Sequence, residues 1–170
     1  LQKYFELFAN STGPPKHHQL GGLLKWYRQS HGIDEVALEQ YEVEMDREIG
    51  RWIATVPHEP MTYVASYDVV SGTYQKRMSY LDCYIGAMLA VGSREMRMAL
   101  LYHNTSNLMA RVNRFGRHKA IARELTDTCH AAMTRTATGL APAVFYFDDI
   151  DEATNQKVDV DPAEKGFDFL

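Results

Sequence analysis

One pattern occurs twice in this sequence and restricts its fold more than any other feature: a pair of amphipathic helices followed by a short β-prone segment. In the first copy, apolar residues at helical spacing predict a helix over Gln19–Ser30 and a second helix from the N-cap Asp34 to about Thr55. Pro57 ends the second helix, and the β-formers of Met61–Val70 predict a strand or one arm of a hairpin.

The second copy repeats this order. Apolar residues at helical spacing predict a helix over Met78–Gly92, a short helix that Ser93 caps, and a longer helix over His118–Arg135. The intervening segment His103–Arg117 is polar and predicts a surface loop. Ala143–Phe147 is again β-prone, so a second β-arm follows the second set of helices.

Two such units make a mainly α chain but an incomplete repeat structure. A repeat array covers its hydrophobic faces only when about three or more units stack. We therefore expect residues 1–147 to form a section of a larger helical structure. Residues 148–170 are acidic and poor in apolar side chains until Phe167, which predicts a tail or a connecting loop.

Charge and composition exclude several classes. The 170 residues include 18 Lys and Arg and 22 Asp and Glu, a formal net charge of −4. A general nucleic-acid binder needs a basic excess to neutralise phosphates, so no nucleic-acid partner is expected. Hydrophobic residues make up 45% and charged residues 24%, which is typical of a folded chain. No apolar run approaches the roughly 18 residues of a membrane span.

Two sequons and two cysteines favour a secretory compartment. The sequons begin at Asn10 and Asn104, and such triplets are glycosylated only in that pathway. Cys83 and Cys129 either form one disulfide or remain buried free thiols. A disulfide between them would stabilise the fold by about 4 kcal/mol on the chain-entropy model. The agreement of these signals favours the disulfide.

Three motifs resemble one enzyme family. The run Arg77–Gly92 resembles the segment around the first disulfide cysteine of glycoside hydrolase family 47, the class I α-1,2-mannosidases. Ala122–Cys129 resembles the segment of the second cysteine, and Thr138–Pro142 resembles the family's Thr-Gly-Leu-x-Pro-Glu turn. Leu23-Leu24-Lys25 is similar to the last three residues of the family motif Asp-Ser-x-Tyr-Glu-Tyr-Leu-Leu-Lys, which lies at the start of a helix.

The resemblance extends over about residues 13–147 and implies a fold and a chemistry. It implies that this chain is a middle section of an (αα)7 barrel with small β-hairpin arms, and that Cys83 pairs with Cys129. It also implies an inverting α-mannosidase acting on high-mannose N-glycans in the lumen of the endoplasmic reticulum or Golgi, or secreted. Calcium is expected for the complete barrel, whereas no metal ligand is assigned within this chain. The expected partners are the remainder of the barrel or other chains.

The positions that carry chemistry in the family lack carboxylates here. In this register the catalytic Asp of the family falls at His17, and the Glu four residues later falls at Gly21. The Asp-His pair becomes Ser79-Tyr80, and the Glu after Pro becomes Ala143. An inverting glycosidase needs two carboxyl groups, one as acid and one as base. No catalytic residue is therefore assigned, and we hypothesise that this section is catalytically degenerate.

Three functions remain open at this point. The first is a degenerate section of a family 47-like fold that recognises or acts on high-mannose glycans. The second is part of an active calcium-dependent α-1,2-mannosidase whose other carboxylates lie outside this chain. The third is a non-enzymatic scaffold subunit of a larger assembly. The missing carboxylates favour a binding or scaffold role over catalysis.

Other polar clusters have simpler interpretations. His17-His18 has no Cys or His at a zinc-like spacing, which favours ordinary exposed histidines. The basic stretch from Arg111 to Lys119 predicts a solvated loop, with an anionic partner as the alternative. The acidic residues 148–151 do not follow the order of an EF-hand. Five tyrosines between residues 63 and 84 are expected in the core, although they could also stack on sugar rings.

Overall fold

The computed structural model describes residues 17–56, 61–68, 70–102 and 108–147, and of His17 and His18 it describes only the backbone. The sequons at Asn10 and Asn104 and the acidic residues 148–170 lie outside the described residues. The helices within the described part are α1 His17–Gln29, α2 Glu35–Trp52, α3 Tyr84–Tyr102 and α4 Leu108–Thr134. None of these helices is both long and apolar enough to cross a membrane.

A tight turn joins α1 and α2 into the first helical hairpin. Gly32 has a φ of 80°, which its missing Cβ permits, and its N–H donates to the carbonyl of Tyr27 (3.1 Å). Asp34 then caps α2, because its Oδ1 accepts from the N–H of Ala37 (3.1 Å). The other carboxylate oxygen of Asp34 accepts from the indole Nε1 of Trp26 (2.7 Å), which fixes the two helices around the turn.

The first helices of the two hairpins, α1 and α3, run parallel to each other. Near the start of α1, a Cβ placed on Gly21 would lie 3.6 Å from Sδ of Met88, near the start of α3. Further along both helices, Arg28 Nε lies 3.5 Å from Glu95 Oε1. These contacts advance in the same direction along α1 and α3. The second hairpin therefore lies beside the first as a repeated unit.

Three antiparallel strand pairs form the β-arms within the described residues. The strands are β1 Ile53–Thr55, β2 Thr62–Val64, β3 Ser66–Asp68, β4 Thr73–Gln75, β5 Arg77–Ser79 and β6 Val144–Tyr146. They pair as β1–β2, β3–β4 and β5–β6. A 3-10 turn over Tyr80–Cys83 follows β5 and leads into α3. The β5–β6 pair thus brings the residues before α3 next to those that follow α4.

The core lies between the two hairpins and beneath the arms. Met78 in β5, Leu89 in α3 and Leu125 in α4 are completely buried there. The predicted disulfide is present: Cys83 is bonded to Cys129, with a Cα–Cα distance of 6.0 Å. This bond attaches the 3-10 turn to α4.

The predicted break at Gly92 and Ser93 is wrong, because α3 is continuous from Tyr84 to Tyr102. Gly92 lies against the ring of Tyr41, where no larger residue would fit, so it serves packing rather than termination. The Ser93 hydroxyl donates to the carbonyl of Ala90 (2.9 Å) inside the helix instead of capping a new one. The predicted helix start at Met78 is also wrong, because this residue pairs with Phe145 in the β5–β6 ladder.

The predicted loop over 103–117 is wrong for the residues that the structure describes. Residues 108–117 are the first turns of α4, since several of their polar side chains form ion pairs with α2. Helix α2 ends at Trp52 rather than near Thr55, because Ile53–Thr55 pairs with β2. The arm predicted over Met61–Val70 contains two strands, which belong to different pairs.

Candidate functional site

The sequence analysis assigned Gly21, Ser79, Tyr80 and Ala143 to positions that carry polar or charged groups in the family. Three of these residues, Ser79, Tyr80 and Ala143, lie close to one another in the structure. Ser79 ends β5, and Tyr80 begins the 3-10 turn. The N–H of Tyr80 donates to the carbonyl of Ala143 (3.2 Å), and Ser79 lies opposite Val144 in the strand pair. Positions far apart in sequence therefore form one small surface at the entrance of α3.

Ser79 keeps the local structure of this surface without supplying a carboxylate. Its Oγ accepts from the N–H of Leu81 (3.3 Å), and Asp82 Oδ2 accepts from the N–H of Ser79 (3.1 Å). This reciprocal capping box is formed equally well by Ser or Asp at the first position. Ser79 thus supports the turn without placing a carboxylate at this position. The carboxylate of Asp82 is engaged in the cap.

The side chains that face solvent here carry hydroxyl groups or no polar group. Tyr80 is 47% exposed, and Ala143 is exposed beside it. Tyr84 follows in α3 with its hydroxyl oxygen buried rather than facing solvent, and burial together with the Asp82 charge raises the pKa of its phenol to about 12. The described residues of this surface, Ser79, Tyr80 and Ala143, can donate and accept hydrogen bonds and stack on a ring, and none of the three is a carboxylate.

The fourth position, Gly21, lies in the second turn of α1 beside α3. A Cβ there would meet Met88 Sδ at 3.6 Å, an ordinary van der Waals contact. Packing therefore does not force a glycine at this position. His17 is the first residue of the same helix, and its side chain lies outside the described part.

No metal site is formed by the residues that the structure describes. Among residues 17–56, 61–68, 70–102 and 108–147, no three His, Cys, Asp or Glu side chains come together as a group that could hold an ion. The histidine and aspartate clusters at 17–18 and 148–151 have side chains outside the described part.

A buried ionic cluster between α2 and α4 is the feature that the sequence interpretation missed. Arg111 Nε lies 2.8 Å from Glu42 Oε1, and both side chains are almost fully buried. Arg114 lies 3.7 Å from both Glu42 and Asp46, and Arg117 lies 3.0 Å from Asp46. The prediction of a solvated basic loop is thus wrong for these arginines, which neutralise acidic groups of the neighbouring hairpin.

His118 belongs to the same cluster and is completely buried. Its Nε2 lies 3.5 Å from Asp46 Oδ1, and its ring meets that of Tyr41 edge-on with centroids 6.5 Å apart. Burial lowers the pKa of His118 to about 4, although the Asp46 charge opposes this shift. The imidazole is therefore neutral at physiological pH. A signal in the sequence was the spacing of Arg111, Arg114 and His118, which places them on one helix face.

The five tyrosines do not form a common sugar-binding surface. Tyr63 is buried and stacks on Phe147, with centroids 4.1 Å apart. Tyr67 and Tyr74 pack around the buried Trp52. The expectation of core positions is met by Tyr63, and Tyr67 and Tyr84 pack against the core. Tyr74 and Tyr80 are exposed instead, and Tyr80 lies at the candidate site.

Paired helices that repeat side by side, with β-arms after each pair, define a segment of an α/α-repeat protein. The sequence profile of Glycosyl hydrolase family 47 matches residues 22–166. The chain belongs to this family. Its mainly α fold with small antiparallel strand pairs is that of a partial section of the family's (αα)7 barrel, as the sequence predicts.

Mannosidases are among the relatives of this chain. It is 26% identical to the mannosyl-oligosaccharide alpha-1,2-mannosidase IA of Spodoptera frugiperda over 92% of the chain and 23% of the relative. It is 25% identical to the human mannosyl-oligosaccharide 1,2-alpha-mannosidase IC over 90% of the chain and 24% of the relative. The chain is 23% identical to the human endoplasmic reticulum mannosyl-oligosaccharide 1,2-alpha-mannosidase over 84% of the chain and 18% of the relative. The chain thus spans about a quarter of the first two relatives.

Proposed function

We propose that this chain is part of a family 47-like protein that binds high-mannose N-glycans and does not hydrolyse them. The observation that carries the proposal is the combination of an intact scaffold with a site surface that has Ser79, Tyr80 and Ala143 where the family has acidic or basic groups. The relatives' names include mannosyl-oligosaccharide mannosidases, which supports a mannose-rich glycan as the ligand.

The chemistry of the site supports binding over turnover. Hydrolysis with inversion needs an acid and a base on opposite sides of the scissile bond, and both are carboxyl groups in this reaction class. The hydroxyl groups of tyrosine and serine side chains can hydrogen-bond to sugar hydroxyls. An aromatic ring such as that of Tyr80 also stacks well on the apolar face of a sugar.

The test uses the full-length protein that contains this section, purified from a secretory host. Hydrolysis is measured by mannose release from α-1,2-mannobiose, and binding is measured by calorimetry with a high-mannose oligosaccharide. We expect binding without release of mannose. Release of mannose at a rate typical of enzymes, roughly 1 per second or more, would establish the alternative of an active mannosidase. If the protein neither binds nor hydrolyses these glycans, the scaffold alternative remains.

Two pairs of variants connect the result to this surface. Tyr80→Ala is expected to weaken glycan binding, whereas Tyr102→Ala, which removes a tyrosine 74% exposed at the other end of α3, is not. Gly21→Glu restores an acidic side chain at a family position, and Gly22→Glu is its matched control, since nothing lies within 4 Å of a Cβ there. Equal effects of Tyr80→Ala and Tyr102→Ala would show that the ligand binds elsewhere.

We further propose a secretory location and a calcium ion for the complete protein. The disulfide between Cys83 and Cys129 and the sequons at Asn10 and Asn104 support the location. Calcium would bind through oxygen ligands of segments outside this chain. Digestion of the secreted protein with an N-glycosidase tests the location, because a shift in mass requires passage through that pathway.

A further inference from the structure

A small cavity lies between α2, the β1–β2 strand pair and the start of α3. Its volume is about 20 Å³, and a cavity needs about 10–15 Å³ to hold one water molecule. Glu48 and Trp52 supply the polar side-chain atoms of its lining. The other side chains that line it carry no nitrogen or oxygen: Met45, Ile49, Ile53, Val64 and Ile85. The space therefore suits a single small molecule held by two polar groups.

The two polar atoms at this cavity lack hydrogen-bond partners within the protein. Glu48 Oε2 and Trp52 Nε1 are both buried, and neither has a hydrogen-bond partner in the described part of the chain. Trp52 as a whole is only 3% exposed. Buried polar atoms in folded proteins are nearly always hydrogen-bonded, either to protein or to ordered water. Two such atoms at one cavity therefore point to a bound polar molecule.

The chemistry of the two atoms restricts what this molecule can be. The indole N–H of Trp52 only donates, whereas the carboxylate of Glu48, whose Oε1 lies 3.6 Å from Arg51 Nη1, only accepts. A metal cation would satisfy the carboxylate but not the indole, and an anion would satisfy the indole but not the carboxylate. Water accepts one hydrogen bond and donates another, so it satisfies both groups.

The positions of the two side chains suit a bridge of one molecule. Glu48 and Trp52 are four residues apart in α2, so they lie one above the other on the same helix face. The indole of Trp52 also contacts the β3–β4 arm: its ring meets that of Tyr67 edge-on at 5.9 Å and that of Tyr74 at 4.9 Å between centroids. The orientation of this indole therefore decides how the arm packs on the end of α2.

We propose that this cavity binds one structural water molecule, which accepts a hydrogen bond from Trp52 Nε1 and donates one to Glu48 Oε2. The water holds the indole in the orientation in which Tyr67 and Tyr74 contact it, and so connects α2 to the β3–β4 arm. This inference is independent of the proposed glycan site, which lies at the entrance of α3.

A crystal structure of the full-length protein that contains this section, at a resolution that shows ordered waters, tests the proposal directly. We expect a water oxygen about 2.7–3.2 Å from both Trp52 Nε1 and Glu48 Oε2. A direct hydrogen bond between the two side chains would overturn the proposal. So would a cavity without water density between two well-defined side chains.

Two substitutions at Glu48 separate hydrogen bonding from packing. Glu48→Gln keeps an oxygen acceptor, so the water peak should remain. Glu48→Met has a similar length and no oxygen, so the water peak should be lost. Glu44→Met is the matched control on the same helix, because Glu44 pairs with Arg47 and does not line the cavity. It should leave the water in place.

The variants also identify which groups hold the water. A water that persists in Glu48→Met would be held by groups other than this carboxylate, which would overturn the proposed bridge. If Glu48→Met does not fold, the density in the unmodified protein and in Glu48→Gln still decides between a bridging water and none.

Discussion

The ring of Tyr41 in α2 lies so close to Gly92 in α3 that a Cβ at position 92 would overlap it. The Tyr41 hydroxyl also donates to the carbonyl of Met88, one turn earlier in α3 (3.3 Å). Tyr41 is completely buried, and burial raises the pKa of its phenol far above the ordinary value, so it remains a donor. The two hairpins therefore meet at a contact whose geometry requires a glycine.

Replacing this glycine tests the contact. Gly92→Ala should destabilise the chain by on the order of 2 kcal/mol, because the added methyl group displaces the Tyr41 ring and this cost exceeds the gain in helix propensity. Gly50→Ala is the matched control within a helix, since nothing lies within 4 Å of a Cβ there, and it should stabilise α2 by about 0.5–1 kcal/mol. Urea unfolding followed by circular dichroism measures both. Equal effects at the two positions would contradict the close contact.

The buried ion pair between Glu42 and Arg111 gives a second prediction. Arg111→Met should destabilise the fold by about 3–5 kcal/mol, because it leaves the buried carboxylate with only Arg114 nearby. Burial already raises the pKa of Glu42 against the opposing Arg111 charge. Adding Glu42→Leu to Arg111→Met should restore most of the lost stability.

An ion pair at the surface provides the comparison for the Glu42 and Arg111 variants. Arg123 and Asp127 are mostly exposed and lie 3.9 Å apart. Arg123→Ala should therefore change the free energy of unfolding by no more than about 0.5 kcal/mol. If Arg111→Met had an equally small effect, the cluster would be as solvated as the sequence interpretation supposed.

His118 predicts a loss of stability in mild acid. Its pKa is about 4 in the folded chain, against 6.5 for the free side chain. Between these values the unfolded chain binds a proton that the folded chain does not, so stability decreases as pH falls from about 6.5 to about 4. The full effect is on the order of 3 kcal/mol. His118→Phe should flatten the dependence of the melting temperature on pH over this window.

The control for this pH dependence lies on the same helix. His130 is exposed, so His130→Gln should leave the dependence on pH as it is in the unmodified chain. Groups around His118 include Asp46, Arg114 and Arg117, and Asp46→Asn should lower the pKa of His118 further, because it removes a carboxylate charge that raises this pKa. An unchanged slope in His118→Phe would show that another group titrates.

The disulfide should make a large contribution to stability. Cys83 and Cys129 are 46 residues apart, so the bond restricts a long loop in the unfolded chain. The double variant Cys83→Ala with Cys129→Ala should lose about 4 kcal/mol on the chain-entropy model. Differential scanning calorimetry of the variant and of the oxidised chain measures this loss. A melting temperature insensitive to the substitutions would show that the 3-10 turn is held by its other contacts.

Local periodicity was sufficient to predict much of the fold. Leu20, Leu24 and Tyr27 are buried at the spacing that predicted α1, and the apolar stripe of α2 is buried in the same way. Those features depend on neighbours within one helix. Motif order was enough to predict the disulfide and the family, since cysteine spacing and the Gly-Leu-x-Pro turn are sequence properties.

The errors arise where a distant partner decides the local structure. Gly92 is a poor helix residue in isolation, yet Tyr41 makes it the residue that fits in a continuous helix. Arg111 has the polarity of a loop residue, but Glu42 on another helix pairs with it in the interior. Neither partner can be identified by reading the segment alone.

The contacts beside Gly21 have a consequence for how this surface can be varied. A Cβ there would make only an ordinary contact with Met88 Sδ, and Ser79 forms its cap through a side-chain oxygen, which an aspartate also supplies. The scaffold therefore constrains neither position to its present residue. Substitutions at these two positions can change what the surface binds or does independently of whether the fold forms.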